Sequence, residues 1–236
     1  MPDLRVFPSP SDQAQAAADL FVAWGQEALK ARGVFRAALS GGSGPLGLFA
    51  ALAQRPQALD WARVELYWVD ERWVAPTDPA SNYGEARRHW LDLLPMGPDC
   101  SPMFNPQLQP DAAAQAYAEL LQARTSEAVP VLDLILLGMG LDGHTASLFP
   151  GQASLDEDRR LCLALRHPST GQSRLTLTLP VLNAGRRCVF LLQGSEKAAL
   201  LAEVLAGAST LPAARIRPSQ GELIWLVDGA AAALVR

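Results

Sequence analysis

Residues 132–150 read LDLILLGMGLDGHTASLFP, and the change of character at Gly138 decides how the chain is assembled. Leu132 to Leu137 is an almost unbroken apolar run, with no polar alternation. That is the pattern of a strand buried on both faces of a sheet. At Gly138 the run gives way to a loop with glycines at 138, 140 and 143 and with Asp142 and His144 between and after them. A strand buried on both faces belongs to a parallel sheet, whose neighbours are reached through helical crossovers. The same unit of strand, polar loop and helix is therefore expected elsewhere in the chain.

It recurs on both sides. Upstream, the apolar run Val34–Leu39 leads into Ser40-Gly41-Gly42-Ser43-Gly44-Pro45 and a helix to about Gln54, with Pro45 suited to a first helical turn. Val64–Val69 (VELYWV) forms a second strand that delivers Asp70-Glu71-Arg72 at its end. A loop with Pro76 and Pro79 follows, then a helix from about Asn82 to Leu94. Pro95–Pro110 holds five prolines and reads as a surface connection. Asp111 is placed to cap a helix running to about Arg124. The chain starts with a helix over Ser11–Arg32, with Asp12 as cap and Gln15 three residues on. Ala17, Leu20, Phe21, Trp24 and Ala28 lie on one face of it, and Gly33 ends it. Downstream, strands are expected at Leu161–Leu165, Arg174–Leu179, Cys188–Leu192 and Leu223–Val227, with a helix at Ser195–Leu205. Strands alternating with helices imply an α/β class with a mostly parallel sheet and helices on both faces. There is no internal repeat or low-complexity linker, so one domain over residues 1–236 is expected.

Composition narrows the function classes. A hydrophobic fraction of 49% against 19% charged supports a packed core. With 20 basic and 24 acidic residues, a net charge of −4 gives no footprint for nucleic acid, yet leaves room for a local basic pocket. Cys100, Cys162 and Cys188 are far apart and form no CxxC pair, so neither a zinc site nor a disulfide framework is expected. The segment MPDLRVFPSPSDQ lacks the apolar core of a signal peptide, and no apolar run reaches the ~18 residues that span a bilayer. A cytoplasmic protein without membrane partners is the expectation.

Ligands of parallel sheets bind beyond the carboxyl ends of the strands, where the polar loops gather. In Ser40–Gly44 the glycines permit close backbone approach, and the following helix offers free amides to a phosphate. The loop lacks the ending of a Walker A motif and, with Pro45, misses the nucleophile-elbow pattern. The ordinary alternative is a tight turn. Asp70, Glu71 and Arg72 are costly to bury unless paired, and arginine can grip a phosphate with two hydrogen bonds. Gly138, Gly140 and Gly143 match G-x-G-x-x-G, but Pro150 and Gly151 arrive too soon for the long helix a dinucleotide site needs, so no nucleotide cofactor is expected. His144 sits beside Asp142. A free imidazole titrates at about pH 6.5, which suits general-base work near neutrality. His89 reads as a helix residue without a chemical role. Lys197, in the first turn after Gly194, runs against the helix dipole and hints at an anion nearby. Arg174 is a further candidate contact.

Six pieces taken together resemble the 6-phosphogluconolactonase family: SGGS (40–43), VDER (69–72), GMGLDGHTASLFPG (138–151), RLTLTLP (174–180), GSEK (194–197) and IWLVD (224–228). They span most of the chain in the family's order. Two departures are Gly44, where the family often has threonine, and the lack of a proline pair in His167–Ser173. The resemblance implies a Rossmann-like, doubly wound fold and hydrolysis of 6-phospho-D-glucono-1,5-lactone in the pentose phosphate pathway. Catalytic roles then fall to His144, Asp70 and Arg72. Substrate contacts fall to Ser40, Gly41, Gly42, Ser43, Arg72, Asp142, Arg174 and Lys197. No metal or cofactor is implied, and a monomer or weak homodimer is expected. In this reading His144 takes a proton from water, Asp70 positions the histidine, the water or a hydroxyl, and Arg72 and Lys197 hold phosphate with help from the Gly41–Ser43 amides. One rival is a sugar-phosphate isomerase-deaminase of the same fold. Such proteins typically carry DEY, and an asparagine-glutamate after the histidine loop, where this chain has Asp70-Glu71-Arg72 and Ser147-Leu148-Phe149. A non-catalytic sugar-phosphate sensor is the other.

Overall fold

The chain traces an edge strand first. In the computed structural model, which describes residues 3–235, β1 (Asp3–Phe7) leads into α1 (Pro10–Arg32). The cap of α1 is Ser9 rather than Asp12: its hydroxyl accepts from the Asp12 amide, so Asp12 is the residue capped. Gly33 ends the helix at φ 77°, the left-handed position that glycine adopts freely. Next come β2 (Phe35–Leu39), α2 (Ser43–Ala53), β3 (Val64–Trp68), β4 (Asp70–Arg72) and α3 (Asn82–His89). α3 stops short of Leu94 because Trp90 leaves helical geometry and turns its indole inward. There it stacks on Phe49 at 5.7 Å and meets Phe21 and Trp61 edge-on at 5.7 and 5.5 Å. After β5 (Asp99–Cys100), α4 (Pro110–Thr125) starts without a side-chain cap. Asp111 lies in its first turn, favourable to the dipole but not the cap expected. The chain closes with β6 (Leu134–Leu137), β7 (Cys162–Arg166), β8 (Ser173–Leu177), α5 (Leu179–Leu182), β9 (Arg187–Leu192), α6 (Ala198–Leu205) and β10 (Glu222–Asp228).

Seven strands form one sheet in the order β1-β10-β9-β6-β2-β3-β5, and every pairing in it is parallel. All four residues of β6 are buried, as a strand covered on both faces requires. β1 is an addition to the expected strands: LRVF is short, and Val6 is 52% exposed at the sheet's edge, so it carries little periodic signal. Two runs expected in this sheet, Leu161–Leu165 and Arg174–Leu179, instead form a second, antiparallel sheet in the order β4-β8-β7. The reason is chain length. Only 167–172 separates them, and a parallel crossover needs about a dozen residues. Val69 joins the sheets: its amide donates to Leu39 O at 2.9 Å, and its carbonyl accepts from the Leu177 amide at 2.8 Å.

From β2 the chain moves outward to β3, and from β6 it moves outward the other way to β9. The two neighbouring strands β2 and β6 thus flank a topological switch point, the position where parallel sheets open a crevice beyond their carboxyl ends. Ser40–Gly44 leaves β2 there and Gly138–His144 leaves β6. No helix among the described residues is long and apolar enough to cross a membrane. Cys162 and Cys188 are buried free thiols and Cys100 is a half-buried one.

Candidate active site

A cavity of about 200 Å³ fills the crevice. Its wall takes Ser40–Gly44 from the end of β2, Asp70 and Arg72 from β4, and Gly138–Gly140 and His144 from the loop after β6. Arg174 from β8, Leu191 and Leu192 from β9, Gln193 just after it and Lys197 complete it, together with Asn82 and Ala146. Of the site residues expected from the sequence, only Asp142 is absent from this wall.

Asp142 is bonded to His144 instead of lining the cavity. The Gly140 amide donates to His144 O at 2.8 Å and the Gly143 amide to Gly140 O at 3.1 Å, which folds the loop into a tight turn. Gly143 takes φ 79°, and a Cβ at Gly140 would overlap the His144 ring. Within this turn His144 Nδ1 lies 2.5 Å from Asp142 Oδ1, and the His144 amide donates to the same oxygen at 3.1 Å. Burial pushes the Asp142 carboxyl up, but these bonds outweigh it and hold it below its ordinary value. An ionised carboxylate offers acceptors only, so in the neutral ring the proton sits on Nδ1 and the lone pair on Nε2. Phe149 packs against the ring at 4.8 Å.

Positioning the histidine is among the roles expected of Asp70, and its observed contacts lie elsewhere. Its Oδ2 accepts from Ser147 Oγ at 2.6 Å and its Oδ1 from Asn82 Nδ2 at 3.2 Å, with Arg174 Nη1 3.9 Å from Oδ2. Glu71 faces away from the cavity and caps α3. It accepts from the amides of Arg72, Asn82 and Tyr83 at 2.7–2.8 Å and from Ser81 Oγ at 3.0 Å. Burial pushes its carboxyl up against the pull of those four donors. Glu71→Ala orphans all four, and the expected loss is about 2–4 kcal/mol, read by urea unfolding. A loss under about 1 kcal/mol would mean the cap is dispensable.

Arg72 and Arg174 are direct partners across the antiparallel β4–β8 pair. Like charges facing each other across strands are destabilising. Arg72 Nη1 donates to Ala80 O at 2.8 Å, and Arg174 donates weakly to Ser147 Oγ and Gln172 Oε1 at 3.4 Å. The Nε of each is buried without a partner. Burial depresses the Arg174 guanidinium, Asp70 raises it and Arg72 depresses it further. Lys197, in a 3₁₀ turn entered through Gly194 at φ 91°, forms no ion pair among the described residues. Three cations thus share the cavity with one carboxylate, Asp70, and the surplus favours an anionic guest.

The glycine loop contributes less than expected at one point: the Gly42 amide already donates to Glu85 Oε2 at 3.2 Å. Gly44, which stands where the family often has threonine, has a steric reason. A Cβ there would come 2.7 Å from Leu191 O, so glycine lets the start of α2 sit on the end of β9. Asn82 and Gln193 join the cavity without a sequence signal for it. Asn82 reads in sequence as an ordinary helix start. Gln193 is held by a contact from 180 residues away: its Nε2 donates to Gln13 Oε1 at 2.7 Å.

The family model described as glucosamine-6-phosphate isomerases/6-phosphogluconolactonase matches residues 8–225. The 6-phosphogluconolactonase of Synechocystis is 42% identical over 86% of this chain and 85% of its own length. That of Rattus norvegicus is 39% identical over 98% of this chain and 93% of its own length. Among solved structures, the devB protein superposes with a TM-score of 0.89 at 35% identity, covering 99% of both chains. A monomeric glucosamine-6-phosphate deaminase, at 19% identity and a TM-score of 0.82 over 98% of this chain and 99% of its own, shares the fold.

Proposed function

The chain belongs to the glucosamine-6-phosphate isomerase/6-phosphogluconolactonase family and is an ester hydrolase of the lactonase kind; from that premise we propose that it opens 6-phospho-D-glucono-1,5-lactone with His144 as general base. The observation that carries the reading is one cavity lined both by His144, whose Nδ1 is engaged by Asp142, and by three cations, Arg72, Arg174 and Lys197, against the single carboxylate of Asp70. His144 Nε2 accepts a proton from water as the water oxygen attacks the lactone carbonyl carbon. The tetrahedral adduct then expels the ring oxygen, and the imidazolium returns its proton to that oxygen. Asp142 fixes the tautomer throughout and stabilises the transient imidazolium. Arg72, Arg174 and Lys197 hold the phosphate, while Asp70 keeps Arg174, Asn82 and Ser147 in place. A lactone is already an activated acyl group, so water suffices as the nucleophile.

A coupled assay that follows 6-phosphogluconate, with spontaneous ring opening subtracted, tests the proposal. Accelerated opening supports it. Release of ammonia from glucosamine 6-phosphate without lactonase activity would replace it with the deaminase reading. Binding of 6-phosphogluconate without turnover would make the chain a sensor.

A further inference from the structure

Phe149 is fully buried and does not belong to the cavity wall. It touches no substrate in the reading above, yet three side chains rest on its ring. The His144 imidazole lies with its centroid 4.8 Å away and its plane tilted by 46°. The Arg174 guanidinium carbon lies 6.0 Å from the same centroid. His167 meets the ring edge-on at 4.8 Å, and its Nδ1 accepts from the Ser169 and Thr170 amides at 3.2 and 3.3 Å, so this third partner is itself anchored. A closed turn puts Phe149 there. The Leu148 amide donates to Thr145 O at 2.9 Å, Ala146 takes φ 48°, and Thr145 Oγ1 donates to Gly138 O at 2.8 Å. The chain thereby folds back and sets Phe149 against the histidine five residues before it.

Hydrogen bonding alone does not hold the imidazole. Asp142 engages Nδ1, but its side chain is 49% exposed and free to follow the ring. The second side-chain torsion of histidine is broad, with no sharp staggered wells to stop it. A buried aromatic face removes that freedom, because a close-packed interior leaves the ring no room to tip. Arg174 has a matching need. Its bonds to Ser147 Oγ and Gln172 Oε1 are long, at 3.4 Å, and Asp70 Oδ2 stands 3.9 Å from Nη1. The negative face of a phenyl ring attracts a guanidinium at about this centroid separation. We propose that Phe149 is a positioning residue, one buried ring that holds His144 and Arg174 in register, so that general base and phosphate clamp address the two ends of one substrate. The inference rests on the lactonase reading above and adds to it the part that fixes its two halves relative to each other.

The test is Phe149→Leu, which keeps an apolar side chain in place, with Phe149→Met as the second variant should the first not fold. kcat is expected to fall about tenfold or more on the phosphorylated and the unphosphorylated lactone alike, since the base serves both. KM is expected to rise about two- to fivefold for the phosphorylated lactone only. Two backgrounds separate positioning from a general structural role. In His144→Ala, assayed at enzyme concentrations that lift its rate above spontaneous opening, Phe149→Leu should lower kcat no further. In Arg174→Ala it should raise KM no further. Unchanged kcat in the folded variant would overturn the proposal. The same fall in kcat with and without His144, or failure of both variants to fold, would also overturn it, by making Phe149 a core residue only. A fall in kcat with no rise in KM would overturn it by leaving Arg174 independent of the ring. No hydrolysis by the native protein would overturn the lactonase reading and this inference together. Brisk native hydrolysis that Phe149→Leu leaves untouched would overturn this inference only.

Discussion

His144→Ala is expected to lower kcat by about 10²–10⁴-fold while changing KM little, because the variant loses proton transfer and keeps every cation of the phosphate clamp. The ring is half-buried, and its hydrogen-bonded partner Asp142 lies within the same loop, so the loss should not propagate into the core. A thermal midpoint close to that of the native protein separates a chemical defect from a folding one. The pH profile gives an independent reading. The Asp142 carboxyl is held below its ordinary value, so it stays ionised well into the acid range. A limb of the kcat/KM profile that is present in the native protein and absent from His144→Ala is then assigned to the histidine and not to Asp142. Unchanged turnover in the variant would remove the histidine from the mechanism.

Arg72→Ala and Arg174→Ala are each expected to lower kcat/KM for the phosphorylated lactone by about 10–100-fold, the range of a charge-assisted hydrogen bond. The unphosphorylated lactone should be affected far less, because it never engages the clamp. The cross-strand placement of the two guanidiniums adds a second expectation. Without a ligand, removal of either relieves a like-charge contact, so the thermal midpoint should fall little. In the native protein inorganic phosphate should raise the midpoint by bridging the pair, and in either variant that rise should shrink. Equal losses on both lactones would mean that the arginines serve the reacting centre or the fold instead of phosphate.

Much of the framework is legible in the sequence because it is written in local patterns. The run at 132–137 is apolar on both sides, and the same holds around β2, β3, β9 and β10. The loops that carry Ser40–Ser43, Asp70–Arg72 and His144 follow those strands, so their convergence at one rim follows from a parallel sheet. The second sheet is obscured because β7 and β8 look like any apolar runs, and only the short 167–172 link argues against parallel pairing. Within Asp70-Glu71-Arg72 sequence alone does not divide the labour. Strand alternation sends Asp70 and Arg72 to the cavity and Glu71 to the start of α3, a helix that begins eleven residues after it. Asn82 escapes notice because an asparagine at a helix start has an ordinary explanation. Its unpaired oxygen exists only once β4 and the glycine loop have closed around it.

A crystal structure with 6-phosphogluconate bound would test the central claim most directly. The account predicts the phosphate between Arg72 and Arg174 within reach of Lys197, and the carboxylate within hydrogen-bond distance of His144 Nε2. A phosphate bound away from both arginines, or a carboxylate directed away from His144, would contradict it.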